Sequence, residues 1–400
     1  MNGFFPTSTL DSKAPASLLP KCGACGLHKK CESPKLEPVG KGKKKILIIS
    51  ESPSDDDDKH GRFLSKSNFS LPLEAALRKC ETNLLEDCWL TASLICNTDG
   101  ATPTNEQLEF CRPNLIKTIK TLNPNVIIPM GAAAIGSLFP HIWKENIGTT
   151  SRWMGWRIPC QSLNAWICPT FSPSFVNHAI TNDFQKAKPL KIHFNKHIEN
   201  ALQLDGKPWD TVPDYRSEIT IVQEPGKAAK QIRKMIQRGG MVSFDYETDR
   251  IKPDGDGSRI VSCSVCWKGK RTIAFPWHGE AIKAMRELLR SPLPKIGCNL
   301  KFEDRWTRKI LGHRVRNWYW DTMLAAHVLD NRPGVTSIKF QSFVLLGQTS
   351  YDDHIKRFLK GAAGEETNQI DQIDVNDLLL YNGLDSLLQF KVGIKQMELM

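Results

Sequence analysis

Met241-Val242-Ser243-Phe244-Asp245-Tyr246-Glu247-Thr248 is the stretch on which the reading of this chain turns. Its β-branched and aromatic content predicts a short buried strand, and side chains two apart in a strand share a face. Asp245 and Glu247 therefore project together. Two carboxylates held side by side repel unless a cation lies between them, so the pair asks for a hard divalent ion with oxygen ligands. The competing interpretation is a solvated strand end, and the acids further along the chain decide against it.

Working outward, 400 residues exceed one ordinary core, which predicts two domains. A net charge of +11 favours an anionic partner, nucleic acid rather than a membrane surface. No apolar run reaches the roughly eighteen residues a membrane span needs, and MNGFFPTSTLDSKAPASLLPK lacks the pattern of a signal peptide. A cytoplasmic protein is expected, in which twelve cysteines are metal-ligand candidates rather than a disulfide framework.

Residues 1–17 are rich in Ser, Pro and Ala and are expected to be disordered. Cys22-Gly-Ala-Cys25 follows, then Cys31 and the basic run Lys41-Gly42-Lys43-Lys44-Lys45. Cys-x-x-Cys brings two thiolates together, but a closed site needs a second pair. Ile46-Leu47-Ile48-Ile49 reads as a buried parallel strand emptying into Ser50-Glu51-Ser52-Pro53-Ser54-Asp55. Val126 to Gly131 and Ala165 to Cys168 repeat this strand-to-loop pattern, and strands alternating with helices predict an α/β layer fold.

Over residues 18–200 the chain resembles the iron–sulfur (family 4) uracil-DNA glycosylases, which implies a three-layer α/β domain. The resemblance implies that Cys22, Cys25, Cys96 and Cys111 ligate a 4Fe-4S cluster; four thiolates in two pairs suit a cubane or Zn²⁺ equally. Cys31 stands as a possible substitute ligand. The family's Gly-Glu-x-Pro-Gly motif appears as Ser50-Glu51-Ser52-Pro53-Ser54, which keeps Glu51, and Gly61-Arg62-Phe63-Leu64 keeps Phe63 as the implied base-stacking ring. Where the family carries a uracil-reading Asn, Thr91, Ala92 and Ser93 stand, and its His-Pro-Ser motif is Ser172-Pro173-Ser174. A flipped base is read by hydrogen bonds, and a neutral serine cannot stabilise a leaving uracil anion as a histidine does. Retained fold and DNA binding with lost or altered base excision is the expectation.

Residues 201–217, with Gly, two prolines and no periodicity, are the expected linker, and 218–400 the second domain. Ile219 to Val222 begins it, a helix from Gly226 to Arg238 precedes the opening stretch, and Arg259–Trp267 and Arg271–Trp277 form a hairpin about Lys268-Gly269-Lys270. Cys263 and Cys266 also have Cys-x-x-Cys spacing, but three apart in a strand they face opposite sides and belong to the core. Lys295 to Asp304 reads as a short strand turning into a helix, and Trp318 to His327 as the start of another. Tyr381 and Asp385, four apart, share a helix face behind the capping Asp374.

Asp245-x-Glu247-Thr248, Asn299-x-x-x-Glu303 and Tyr381-x-x-x-Asp385 together resemble, in order and spacing, the 3′-5′ proofreading exonuclease domain of family A DNA polymerases. The fold implied is ribonuclease H-like, and the mechanism is hydrolysis with two Mg²⁺ or Mn²⁺ held by Asp245, Glu247, Glu303 and Asp385. Tyr381 would aim the attacking water, and Thr248 and Asn299 would contact substrate. The family's second motif ends in Asp where this chain has Glu303, with Asp304 the alternative ligand; Asp321 and Thr322 are read as structural, and Lys301 and Arg305 as candidate strand-binding cations. No polymerase signature follows Asp385, so a separate polymerase chain is the expected partner, DNA with a single-stranded or frayed 3′ end the substrate, and a bacterial or phage-infected host cytoplasm the setting. A bifunctional repair enzyme and a non-catalytic polymerase subunit are the alternatives.

Overall fold

The computed structural model describes residues 22–63, 71–359 and 367–400, so the stretch 1–17 expected to be disordered lies outside the described residues. The chain divides into two compact units, Met1–Thr211 and Val212–Met400. Tyr215, inside the stretch expected as linker, is already buried in the core of the second unit.

The first unit is built on five strands: β1 (Ile46–Ser50), β2 (Cys88–Ala92), β3 (Val126–Pro129), β4 (Ile158–Cys160) and β5 (Ala165–Ile167). They run in the order β2-β1-β3-β5-β4, all parallel except β4 against β5. β1 is buried along its whole length, with Ile46 and Ile48 packed on Leu73, Leu77, Phe194 and Ile198 from helices Leu71–Lys79 and Phe184–Leu202. Helices Asn105–Leu122 and Gly131–Ile142 share a second, smaller core of Leu108, Cys111 and Ala133. At Gly131 (φ 84°) an added Cβ would lie 2.7 Å from Glu51 Oε1, so only glycine lets this helix start against that carboxylate.

The second unit has six strands: β6 (Ile219–Ile221), β7 (Val242–Thr248), β8 (Ile260–Trp267), β9 (Arg271–Pro276), β10 (Lys295–Gly297) and β11 (Trp318–Asp321). Their order is β11-β10-β7-β8-β9-β6, with β7, β8 and β9 antiparallel and β10 and β11 parallel to β7. The alternation read from the opening stretch is realised: Val242, Phe244 and Tyr246 enter the core with helices Pro225–Arg238 and Glu280–Arg290. Helix Val375–Leu399, capped by Asp374, packs with the opposite face. Cys263 and Cys266 fall in different cores, as three-residue spacing in a strand dictates. One element differs from the sequence reading. Trp318 to Asp321 is a strand, because this aromatic run pairs with β10, and the helix begins only at Thr322, where Asp321 accepts from Met323 N and Leu324 N. Among the described residues no helix is long and apolar enough to cross a membrane.

Candidate active site

Carboxylates gather where helix Val375–Leu399 lies close on the sheet. Small side chains permit that approach: Ser243 donates to Ser386 O at 2.6 Å, Ser264 to Asn382 O at 2.6 Å, and Gly383 leaves no room for a Cβ, which would sit 2.5 Å from Ile219 Cγ2. Asp245 and Glu247 from β7 thereby meet Asp385, and one oxygen from each lies within 4.8 Å of the other two. Among the described residues this is the one group of three or more His, Cys, Asp or Glu side chains gathered so tightly.

The other expected groups close around it. Glu303, in the first turn of helix Leu300–Leu311, is 3% exposed, and its Oε2 has no hydrogen-bond partner among the described residues. Asp304 points elsewhere and accepts from Val315 N at 3.0 Å, a structural role. Asp245 accepts from Asn382 Nδ2 and Gln389 Nε2, each at 2.8 Å, and Asp385 Oδ1 accepts from the Tyr351 hydroxyl. None of these three donors is singled out by the sequence motifs. The 382/385/389 spacing on one helix could have pointed to two of them; Tyr351 lies between elements, where no periodicity points to it. The Tyr381 ring stands 5.8 Å from that of Tyr351.

Burial raises the carboxyl pKa values throughout. Asp245 is held well above the ordinary carboxylate range by burial and then by Asp385, Glu247 by burial and then by Asp245, and Glu303 by burial and then by Asp245. Asp385 is pushed up by burial to about 6, with Tyr351 and Lys339 opposing the rise. An orphaned buried carboxylate oxygen beside three mutually repelling acids is a donor set that fits hard divalent ions.

Of the residues expected to touch substrate, Asn299 is exposed, left-handed (φ 62°), and gives its N–H to Asp321. Thr248 is buried and donates its hydroxyl to Arg250 O at 2.7 Å. Lys301 is exposed, whereas Arg305 is paired with Asp254. Asp321 and Thr322 are structural: Thr322 donates to Gly297 O at 3.2 Å.

In the first unit Cys22, Cys25, Cys96 and Cys111 all line one cavity. Cys96 and Cys111 are buried, and burial pushes their thiols up to about 12 and about 11. Cys31 is absent from that lining and lies against Leu27 O at 3.3 Å. A separate cavity of about 450 Å³ is lined by Glu51, Phe63, Asn97 and Ser174 among others. Glu51 accepts from Ala133 N at 3.4 Å, at the start of helix Gly131–Ile142, while Phe63 is also packed into the core. Thr91, Ala92 and Ser93 are buried, Ser93 giving its hydroxyl to Ser50 O at 2.8 Å. Ser172 Oγ is buried without a partner among the described residues. Asn97, which sequence reasoning passed over, spends its amide on Pro53 O and Asp55 Oδ1, so it shapes the loop.

Residues 37–199 match the uracil DNA glycosylase superfamily, and residues 219–380 a family described as 3′-5′ exonuclease. The type-4 uracil-DNA glycosylase of Thermotoga maritima is 28% identical over 177 residues, 42% of this chain and 83% of that protein. The Archaeoglobus fulgidus enzyme of the same name is 29% identical over 142 residues, 34% of this chain and 66% of the other. Among solved structures, the catalytic core of RRP6 from Trypanosoma brucei aligns with 47% of this chain and 48% of its own length, at 14% identity and TM-score 0.35. RNase D of Escherichia coli aligns with 45% of this chain and 44% of its own length, at 10% identity and TM-score 0.32. The chain thus spans about half the length of these nucleases. In order along the chain, an N-terminal region matches the uracil DNA glycosylase superfamily and a C-terminal region matches a 3′-5′ exonuclease family.

Proposed function

We propose that this chain is a metal-dependent 3′-5′ DNA exonuclease of the proofreading type, whose N-terminal domain binds DNA without excising uracil. The observation that carries this reading is the convergence of Asp245, Glu247 and Asp385, with the unpartnered Glu303 Oε2 beside them. Asp245, Glu247 and Asp385 would hold one ion and Glu303 would serve a second. Two Mg²⁺ or Mn²⁺ would supply the positive charge that phosphodiester hydrolysis needs at both the attacking and the leaving oxygen. Asn382 and Gln389 keep the Asp245 carboxylate fixed by two hydrogen bonds, and Tyr381 aims the water through its hydroxyl, a donor at neutral pH because burial holds its pKa high. DNA is favoured over RNA because the fused domain has relatives named as uracil-DNA glycosylases. Proofreading would require a polymerase chain to present the frayed 3′ end.

In the N-terminal domain the cavity retains Glu51 and Phe63, but no histidine stands at Ser172 and no amide at Thr91, Ala92 or Ser93. The four thiols fit a metal group. Four thiols lining one cavity can close a site for a 4Fe-4S cluster or for Zn²⁺. A second reading, base removal followed by strand trimming, has the Glu51 cavity in its favour.

A time course on 5′-labelled DNA and RNA strands, with and without one uracil in the DNA, in Mg²⁺ or EDTA, tests both. Mg²⁺-dependent shortening of DNA from the 3′ end, equal with and without uracil and lost by orders of magnitude in a folded Asp245→Ala variant, is expected. Alkali-sensitive breaks at uracil that persist in EDTA would establish the second reading, and preferential decay of RNA would overturn the DNA assignment.

A further inference from the structure

The motifs provide one tyrosine for this site, but two lie there. Tyr351 is 3% exposed and follows the helix Ile338–Leu346, and its hydroxyl donates to Oδ1 of Asp385. Both neighbours in the chain are anchored. Asp352, 1% exposed, is paired with Lys339 of that helix, and the Ser350 hydroxyl donates to Asp352 at 3.1 Å and to Asp353 at 2.8 Å. The phenol is therefore presented from a held segment, and it meets a carboxylate that itself sits on a helix pinned to the sheet by Ser243 and Ser264.

We propose that Tyr351 is a positioning residue: its hydroxyl fixes the orientation in which Asp385 offers its carboxylate to a divalent ion, while Tyr381, whose hydroxyl also faces Asp385, acts chiefly on water and substrate. The division of labour matches the treatment of Asp245, whose two oxygens are each held by one neutral donor, Asn382 and Gln389. Two carboxylates facing one ion are thus each locked by uncharged hydrogen-bond donors. Such donors orient a ligand without removing the negative charge it must present. The inference rests on the exonuclease reading for its catalytic consequence, but not for its binding consequence.

Tyr351→Phe removes the hydroxyl and keeps the ring. Mn²⁺ binding, followed by the electron paramagnetic resonance of the free ion, is expected to weaken about tenfold, with kcat on a DNA strand falling about tenfold and KM within twofold of wild type. Tyr381→Phe should lower kcat more than Tyr351→Phe does and weaken Mn²⁺ binding less; the reverse order overturns the proposal. In an Asp385→Ala background, Tyr351→Phe should change Mn²⁺ affinity by less than twofold. Undiminished weakening in that background, or unchanged affinity in the single variant, overturns the proposal, as does an effect confined to KM, which would make Tyr351 a substrate contact. Should Tyr351→Phe not fold, 3-fluorotyrosine at 351 takes its place: its more acidic phenol should shift Mn²⁺ affinity at least twofold, and no shift overturns the proposal. Wild-type protein that binds Mn²⁺ but shortens no strand defeats the exonuclease reading while the binding comparison still decides the role of Tyr351; wild-type protein that binds no Mn²⁺ defeats both.

Discussion

Asp385 illustrates how far single residues of this site are tuned against their own charge. Burial pushes its carboxyl up to about 6, against ~4 for an unstructured aspartate, so the folded state binds its proton more tightly. The sign follows from linkage. The stabilising contribution is complete below about pH 4 and is lost as the pH rises through about 6, because above that the group must ionise while buried away from water. In EDTA, the unfolding midpoint of the wild-type exonuclease unit is therefore expected to fall by a few degrees between about pH 5 and pH 7. Asp385→Asn should flatten that slope, and Mg²⁺ or Mn²⁺ should restore the midpoint more at the higher pH. Equal slopes in the two proteins would mean that Asp385 is not under this strain. At this scale the sequence was partly legible. Asp245 and Glu247 declare themselves by a two-residue spacing on a strand, and Tyr381 and Asp385 by a four-residue spacing on a helix. The donors Asn382 and Gln389 share that helix but carry no charge to attract notice, and Tyr351 reaches Asp385 only through tertiary packing.

Among the elements, helix Val375–Leu399 does the most to build the site, since it carries Tyr381, Asn382, Asp385 and Gln389 on the side pressed against the sheet. Its amphipathic pattern is weak, and nearly every residue from Leu378 to Phe390 is buried, so its packing partner could not be read from a polar and an apolar face. Gly383 marks the closest approach. A methyl group there would meet Ile219 Cγ2 at 2.5 Å, so either that branched side chain or the helix must shift. Gly383→Ala is thus expected to destabilise the unit by about 1–3 kcal/mol despite the higher helix propensity of alanine, and to lower exonuclease activity by carrying Asn382 and Asp385 away from Asp245. An unchanged unfolding midpoint and full activity would show that the contact gives way freely. Strands were legible where β-branched residues run together, as in β1, or alternate, as in β7. β2, with Cys-Trp-Leu-Thr-Ala, has neither signal and becomes a strand through its parallel register with β1, while the aromatic run of β11 lacks alternation and adjoins a helix, which hides its strand character in the sequence.

Across the whole molecule, two units with separate cores each gather one kind of proposed metal ligand, thiols in the first and carboxylates in the second. Similarity to the exonuclease family ends at residue 380, just before Tyr381, so it is the packing of the last helix that assigns Asp385 to the same site as Asp245. Every carboxylate of that site, both tyrosines and all the donors that hold them lie beyond Val212, as do the buried clusters beneath them. Asp210, Thr211 and Val212 are exposed, which makes this the place to open the chain. Cleavage at a protease site inserted there should leave the released C-terminal fragment with its kcat on short DNA strands within about twofold of the intact chain, since no group proposed to act in hydrolysis is lost. KM for longer DNA should rise, and the salt dependence of binding should become shallower, because the contacts with phosphate proposed for the N-terminal unit would no longer count toward the same complex. Loss of kcat would mean that the first unit supplies part of the hydrolytic site. Unchanged KM and salt dependence would remove DNA binding from the first unit, and with it the reason proposed here for joining a glycosylase fold to an exonuclease.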